Sequence, residues 1–264
     1  MKLAILLTAT IQVQVVQGNF STAERLEMYA STLRYYSKTI GRNYPIVFLE
    51  NSGYDLSELK KEFDKKLDIE FVQFKPNGEL PFNSSKGKGY NEYLMIGGGV
   101  LKSEIMKTCT HFLKITGRYP MLNVLSMIKE IEKRSVAYSF MCDIKETGLF
   151  DLIGYNNDGH WGDSRFWASE IEFYKKELIE CYKWMDDRQS GRFAEDYLYQ
   201  LSVGNRNNPH YSFRFKHQVR FGGISGAVSN VSDARGNYDY NSFVNQIKFY
   251  VRSVLRLIMP NIWF

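Results

Sequence analysis

Lys2–Thr10 reads KLAILLTAT, an unbroken apolar run that closes on small hydroxyl residues. A strand with one wet face alternates apolar and polar residues; a run without alternation belongs to a strand covered on both faces, as in the middle of a parallel sheet. In such sheets ligands sit at the carboxyl ends of the strands. Thr8, Ala9 and Thr10 are small enough there for a base or ribose to approach the backbone.

The same pattern recurs outward from this strand. Ser21–Ser37 predicts a helix, with Ser21 as N-cap, Glu24 three residues on, and Leu26, Tyr29, Leu33 and Tyr36 on one face. Pro45–Glu50 (PIVFLE) predicts a second buried strand, Leu56–Phe63 a helix and Ile69–Phe74 a third strand. Lys75–Gly89 predicts a loop, Asn91–Thr108 a helix, His111–Thr116 (HFLKIT) a fourth strand and Val124–Lys133 a helix. Ser135–Asp143 predicts a strand and Glu170–Asp186 one long helix. Glu195–Leu201 predicts a short helix, Tyr211–Phe221 a half-exposed strand, Asn230–Asn241 a mobile loop and Phe243–Leu257 a basic amphipathic helix. Strands alternating with helices imply crossover connections and an α/β fold, mostly parallel and doubly wound. No repeat or linker marks a second unit, so residues 1–264 read as one domain.

Composition narrows the chemistry. The excess of five positive charges suits a phosphate-bearing ligand or an anionic membrane surface, and with no Lys/Arg stripe or RNA-binding signature it points away from nucleic acid. Cys109, Cys142 and Cys181 stand far apart, which argues against a disulfide framework or a CxxC metal site and for a reducing cytoplasm. No stretch approaches the roughly 20 apolar residues that span a bilayer. The basic tail helix reads either as a cap on the core or as a peripheral contact with the inner membrane surface.

Each strand end offers candidate groups. Glu50 and Asn51 close the second strand, where a carboxylate accepts from ribose hydroxyls or a base N–H; Glu50 reads equally as a turn residue. Lys86-Gly87-Lys88-Gly89 is a basic, glycine-bearing loop before a helix, able to cradle a diphosphate through Lys86, Lys88 and the amide of Gly89, or else a solvated loop. Phe112–Asn123 (FLKITGRYPMLN) ends a buried strand on Thr-Gly-Arg. An ammonium inside a strand needs an anion, so Lys114, with Gly117 and Arg118, asks for a phosphate or, alternatively, for an acidic neighbour in a structural salt bridge. The loop Gly154–Gly162 carries Tyr155 and Trp161, which with Arg165 form a surface for an acceptor sugar, Trp161 stacking on its apolar face. Asp163 either accepts from sugar hydroxyls or caps a helix. His111, His160, His210 and His217 show no metal-ligand spacing with one another.

Taken together, Leu6–Thr10, Val47–Gly53 (VFLENSG), Lys86–Glu92 (KGKGYNE), Lys114–Asn123 (KITGRYPMLN), Asp163–Ala168 (DSRFWA) and the Glu195-Asp196 pair resemble the bacterial capsule and lipopolysaccharide glycosyltransferases of the GT-A fold. The resemblance implies a Rossmann-like sheet with a small acceptor-side extension and a C-terminal helix. It implies donor binding mainly in residues 1–123, and acceptor binding and catalysis mainly in 124–264. It also implies a nucleotide-sugar donor, with a UDP-sugar expected, and a glycan or lipid-linked glycan acceptor. By the same likeness Glu195 or Asp196 is the general base of an inverting transfer, though both acids also suit a helix dipole. In that class the strand matching His111–Thr116 ends in Asp-x-Asp, which holds a divalent metal. No Asp-x-Asp occurs here, so no metal ligand is expected and Lys114 and Arg118 are expected to neutralise the leaving diphosphate.

Overall fold

The computed structural model describes residues 1–13, 20–76, 78–146, 160–223 and 243–259. The apolar run forms β1 (Leu3–Ala9), every residue of it buried. Its side chains divide between two cores: Leu3, Ile5, Leu7 and Ala9 enter one, Ala4 and Leu6 the other. This division explains the absence of alternation, because successive residues of a strand point to opposite faces and here both faces are covered.

β1 pairs in parallel with β2 (Ile46–Glu50) and β4 (His111–Thr116), and β3 (Ile69–Gln73) pairs in parallel with β2. Beyond β4 lie β8 (Phe166–Glu170), antiparallel to it, then β5 (Phe140–Met141) and β9 (Tyr211–Ser212), giving the order β3-β2-β1-β4-β8-β5-β9. A two-stranded ribbon of β6 (Ile144–Glu146) and β7 (His160–Gly162) stands apart from this sheet. The fold is α/β with a mostly parallel sheet, as expected. The chain steps outward from β1 to β3 and then returns to the other side of β1 for β4, which makes the β1/β4 carboxyl ends the switch in strand order.

One face is covered by α1 (Thr22–Thr39), α2 (Ser57–Phe63) and α5 (Val124–Arg134), through Tyr29, Leu33, Tyr36, Phe63, Met127 and Ile131. The other is covered by α3 (Lys88–Lys102), α4 (Glu104–Thr108), the short α6 (Ile171–Phe173) and α7 (Ala194–Gly204). α1 starts with the reciprocal Ser21/Glu24 capping box that the sequence announces. α8 (Phe243–Ile258) lies near the chain's end.

Four expectations change. The helix from 91 to 108 is two helices, because Ser103 leaves the helical conformation and its hydroxyl accepts from the Met106 amide at 3.1 Å. Glu70 takes the amides of Glu104 and Ile105. Ser135–Asp143 pairs as a strand only at Phe140–Met141. The predicted helix 170–186 is broken: Glu170 closes a strand, Tyr174–Leu178 forms a π turn and Cys181–Trp184 a 3-10 turn. The stretch 211–221 pairs only at its first two residues. There the buried carboxylate of Glu130 receives the amides of Lys216 and His217 at 2.6 and 2.9 Å, and Asp143 receives that of Phe215 at 3.2 Å. Amides held by carboxylates have no hydrogen left for a neighbouring strand. The expected loop Asn230–Asn241 falls outside the described residues.

Gly117 sets how closely the switch point can draw together. Its amide donates to the Thr8 carbonyl at 2.9 Å, and a Cβ there would meet that oxygen at 2.8 Å. Gly117→Ala is therefore expected to cost about 1–3 kcal/mol through overpacking against backbone, read as a lower denaturant midpoint with unchanged slope.

Candidate active site

At the switch point, Lys114 lies opposite Leu6 and Thr116 opposite Thr8 in the β1/β4 ladder. Lys114, Thr116 and Thr8 share the sheet face that α3 covers, and α3 brings Glu92 over them. Lys114 is fully buried. Its ammonium lies 2.8 Å from Glu92 Oε1 and donates to the Ser164 carbonyl at 2.6 Å and to Thr116 Oγ1 at 3.2 Å. Thr8 Oγ1 donates to the same Glu92 oxygen at 2.6 Å. An ammonium has three donors, and all three are engaged inside the protein. This corrects the expectation that Lys114 neutralises a phosphate: the structural salt bridge is the arrangement found. Burial pushes the Glu92 carboxyl up, but Lys114, Thr8 and Arg118 together hold it below the usual carboxylate range.

Arg118 stands differently. It is half-buried, its guanidinium stacks 4.8 Å from the Tyr119 ring centroid, and its buried Nε meets no acceptor among the described residues. Tyr119 packs against Phe221, and Arg165 stacks on the other ring at 4.9 Å. Two guanidinium groups thus flank one aromatic pair.

Ser164 joins this group to α7. While its carbonyl binds Lys114, its hydroxyl donates to Glu195 Oε1 at 2.5 Å. The Glu195 carboxyl is pushed above the usual range, chiefly by burial and further by the charges of Glu92 and Asp163, against the pull of the Ser164 hydroxyl. Its neighbour Asp196 serves the helix instead, its carboxylate accepting the Phe193 amide at 2.9 Å as a cap. Asp163 likewise turns inward, accepting from the Arg165 amide at 3.1 Å and from its Nε at 2.8 Å. It thereby fixes Arg165. Trp161, half-buried on β7, carries the Lys145 ammonium 5.7 Å from a ring centroid. Tyr155 lies outside the described residues.

Two expected ligand contacts are occupied by the protein. Glu50 is fully buried and gathers the amides of Ile11, Ser52 and Gly53 at 3.2, 2.8 and 3.0 Å. It is the turn residue, with no surface left for a ribose. Thr10 donates to Asn51 Oδ1 at 2.7 Å beside the buried Ala9, tying the first two strand ends together. At the Lys86–Gly89 loop, Asp186 takes the Lys86 ammonium at 2.8 Å, and Asp187 takes the Lys88 amide at 2.6 Å. The anion at this helix start is Asp187, and a side chain at Gly87 or Gly89 would collide with or crowd it. Against the diphosphate expectation, the Lys86 ammonium and the amide at the start of α3 are thus held by the protein's own carboxylates, while the Lys88 side chain remains exposed.

Where the resembling class carries metal-binding carboxylates, this chain presents Thr116, Gly117 and the cation of Arg118. That donor set does not fit a divalent ion, and among the described residues no three His, Cys, Asp or Glu side chains group as metal ligands. Glu92 and Ser164 were not foreseen as site residues. Glu92 sits on the helix immediately after the KGKG loop, and the one signal for it was the unexplained charge of Lys114, which demanded a carboxylate from some helix covering β4.

No family model matches the chain, and no curated protein does. Solved structures do match at low identity. A 4-diphosphocytidyl-2C-methyl-D-erythritol synthase from Anaerococcus prevotii shares 10% identity over 89% of this chain and 95% of its own, with a TM-score of 0.49. The galactosyltransferase LgtC, solved with donor and acceptor sugar analogs, shares 12% over 81% and 74%, with a TM-score of 0.48. Core-mannan synthase A from Aspergillus fumigatus, in a Mn/GDP form, shares 13% over 85% and 75%, with a TM-score of 0.47.

Lys114→Met is expected to cost about 3 kcal/mol or more by leaving the Glu92 charge without its cation. Adding Glu92→Gln should restore most of the loss in a double-mutant cycle of denaturant unfolding. Because the folded Glu92 carboxyl lies below its unfolded value, its contribution is present above the ordinary carboxylate range and is lost as pH falls through the folded value. Glu92→Gln alone should therefore flatten the acid limb of the stability curve.

Proposed function

We propose that this chain is a nucleotide-sugar-dependent glycosyltransferase, taking a UDP-sugar as donor and a hydroxyl of a capsule or lipopolysaccharide glycan, free or lipid-linked, as acceptor. The observation that carries the reading is Glu195: a carboxyl held above its usual pKa at the carboxyl edge of β4, tied through Ser164 to the Lys114–Glu92 pair. A base works best when its pKa approaches the working pH, and burial moves Glu195 in that direction. The sequence resemblance supports the same assignment, and residues 1–123 and 124–264 then divide donor from acceptor and catalytic work within one domain.

The reaction is a direct displacement. The acceptor oxygen attacks the anomeric carbon while its proton passes to the Glu195 carboxylate. The bond from that carbon to the phosphate oxygen breaks, and the nucleoside diphosphate leaves with the electron pair, with inversion. Arg118, half-buried and with its buried Nε meeting no acceptor among the described residues, and Arg165, aligned by Asp163, supply positive charge to the leaving group. Lys114 acts at one remove: it holds Glu92 and the Ser164 carbonyl, and so keeps the Ser164 hydroxyl on Glu195. Trp161 supplies an aromatic face to the acceptor sugar.

Donor hydrolysis and transfer should be measured with UDP-, GDP-, dTDP- and CMP-sugars, with and without Mn²⁺, beside thermal shifts with the same donors. Glu195→Gln is expected to lower turnover about 10²–10⁴-fold while the donor still raises the melting temperature. Asp196→Asn, which keeps an acceptor for the Phe193 amide but loses the negative charge at the helix start, should cost about 0.3–1 kcal/mol of stability yet keep turnover within a few-fold. Full turnover in Glu195→Gln, or its loss only in Asp196→Asn, contradicts the assignment of the base. Donor binding without turnover in the parent chain points to a binding module.

A further inference from the structure

α8 is mounted with its apolar side outward. Phe243, Ile247, Tyr250, Val251, Val254 and Leu257 are between 47% and 76% exposed, and at helical spacing they cover one arc of about 120°. The opposite side faces the protein and is the more polar one. Arg256 is buried there, donating to Asp143 Oδ1 at 3.2 Å and to the Phe215 carbonyl at 3.0 Å. Phe249 lies under the Arg220 guanidinium at 4.7 Å. A helix that merely caps a core buries its apolar stripe, so α8 is the reverse of a capping helix. The Arg256–Asp143 ion pair fixes that orientation.

We infer that the outward face of α8 docks on an anionic lipid surface, lying in the interface with its axis parallel to the membrane. Charge selects this occupant. The 16 residues of the helix contain no Asp or Glu, and exposed Lys248 and Arg252 follow one edge of the apolar arc, about 60° and about 100° beyond it at helical spacing. Lys248 is placed to meet lipid phosphates as the apolar side chains enter the acyl boundary, and the long Arg252 side chain adds its charge within a Debye length of the surface. A second copy docked on this face would bring like charges together, whereas anionic headgroups neutralise them. Among the described residues no helix is long and apolar enough to cross a membrane, so the contact is peripheral. This inference does not depend on the transferase reading. It does place the inner end of α8 on Asp143, whose carbonyl accepts the Asp163 amide at 2.8 Å, next to the candidate site.

The test is flotation of the full chain with phosphatidylcholine vesicles and with mixed phosphatidylcholine–phosphatidylglycerol vesicles, at low and high salt, beside its solution mass by light scattering. Binding to the mixed vesicles is expected, weakened by salt and absent on phosphatidylcholine alone. Lys248→Gln/Arg252→Gln should weaken binding about thirty-fold, and Ile247→Asp/Val254→Asp should abolish it. These four side chains are exposed, so circular dichroism should show every variant folded. No flotation with the mixed vesicles overturns the proposal, as does flotation unchanged in Ile247→Asp/Val254→Asp. A dimer broken by Ile247→Asp/Val254→Asp, without vesicle binding, assigns the face to a second copy instead.

Discussion

A single buried ammonium organises the molecule's functional edge. Lys114 lies in the middle of the sheet, where an unneutralised charge would be expensive, and the chain meets that demand from three directions. α3 supplies the Glu92 carboxylate, the strand supplies the Thr116 hydroxyl, and the turn before β8 supplies the Ser164 carbonyl. The contacts to Glu92 and Ser164 pin elements that arrive from different parts of the sequence. The β1/β4 junction, the start of α3 and the β7–β8 turn are held in one place as a result, and Glu195 is held there by the Ser164 hydroxyl.

This arrangement changes how positive charge is allotted at the strand ends. Lysines that looked available to a ligand are engaged internally, Lys114 by Glu92 and Lys86 by Asp186. Guanidinium groups stay at the edge instead, stacked on Tyr119 and Phe221. The division follows their chemistry. An ammonium is a compact charge readily saturated by three acceptors, whereas a planar guanidinium can rest on an aromatic ring and still direct N–H groups outward. On the proposed reading, in which arginine meets the diphosphate, carboxylates are not needed at the end of β4, where Thr116, Gly117 and Arg118 stand.

The parallel strands β1, β2 and β4 were legible because their signals are local, whereas β8 carries no such run and was not foreseen. Unalternating runs at β1, β2 and β4 and the Ser21/Glu24 capping box each lie within a few residues, and all appear as expected. What escaped was decided by partners distant in sequence. Glu130 draws the amides of 216 and 217 out of strand pairing from more than 80 residues away. Asp187 fills the helix start at Lys88 from 99 residues away, so a loop that reads as a phosphate cradle is already closed by the protein's own anion. Glu50 stands between the two cases: Ser52 and Gly53 lie within its own turn, and Ile11 reaches it from the end of β1, 39 residues away. A charged residue in a strand told that a partner was needed; it could not tell whether protein or ligand provided it.

The most direct test is a crystal structure of the chain with UDP. The diphosphate is expected within hydrogen-bond reach of Arg118, with the Lys114–Glu92 ion pair intact beneath it. A diphosphate bound by the Lys86–Gly89 loop in place of Asp187, or one that draws Lys114 away from Glu92, would contradict the assignment.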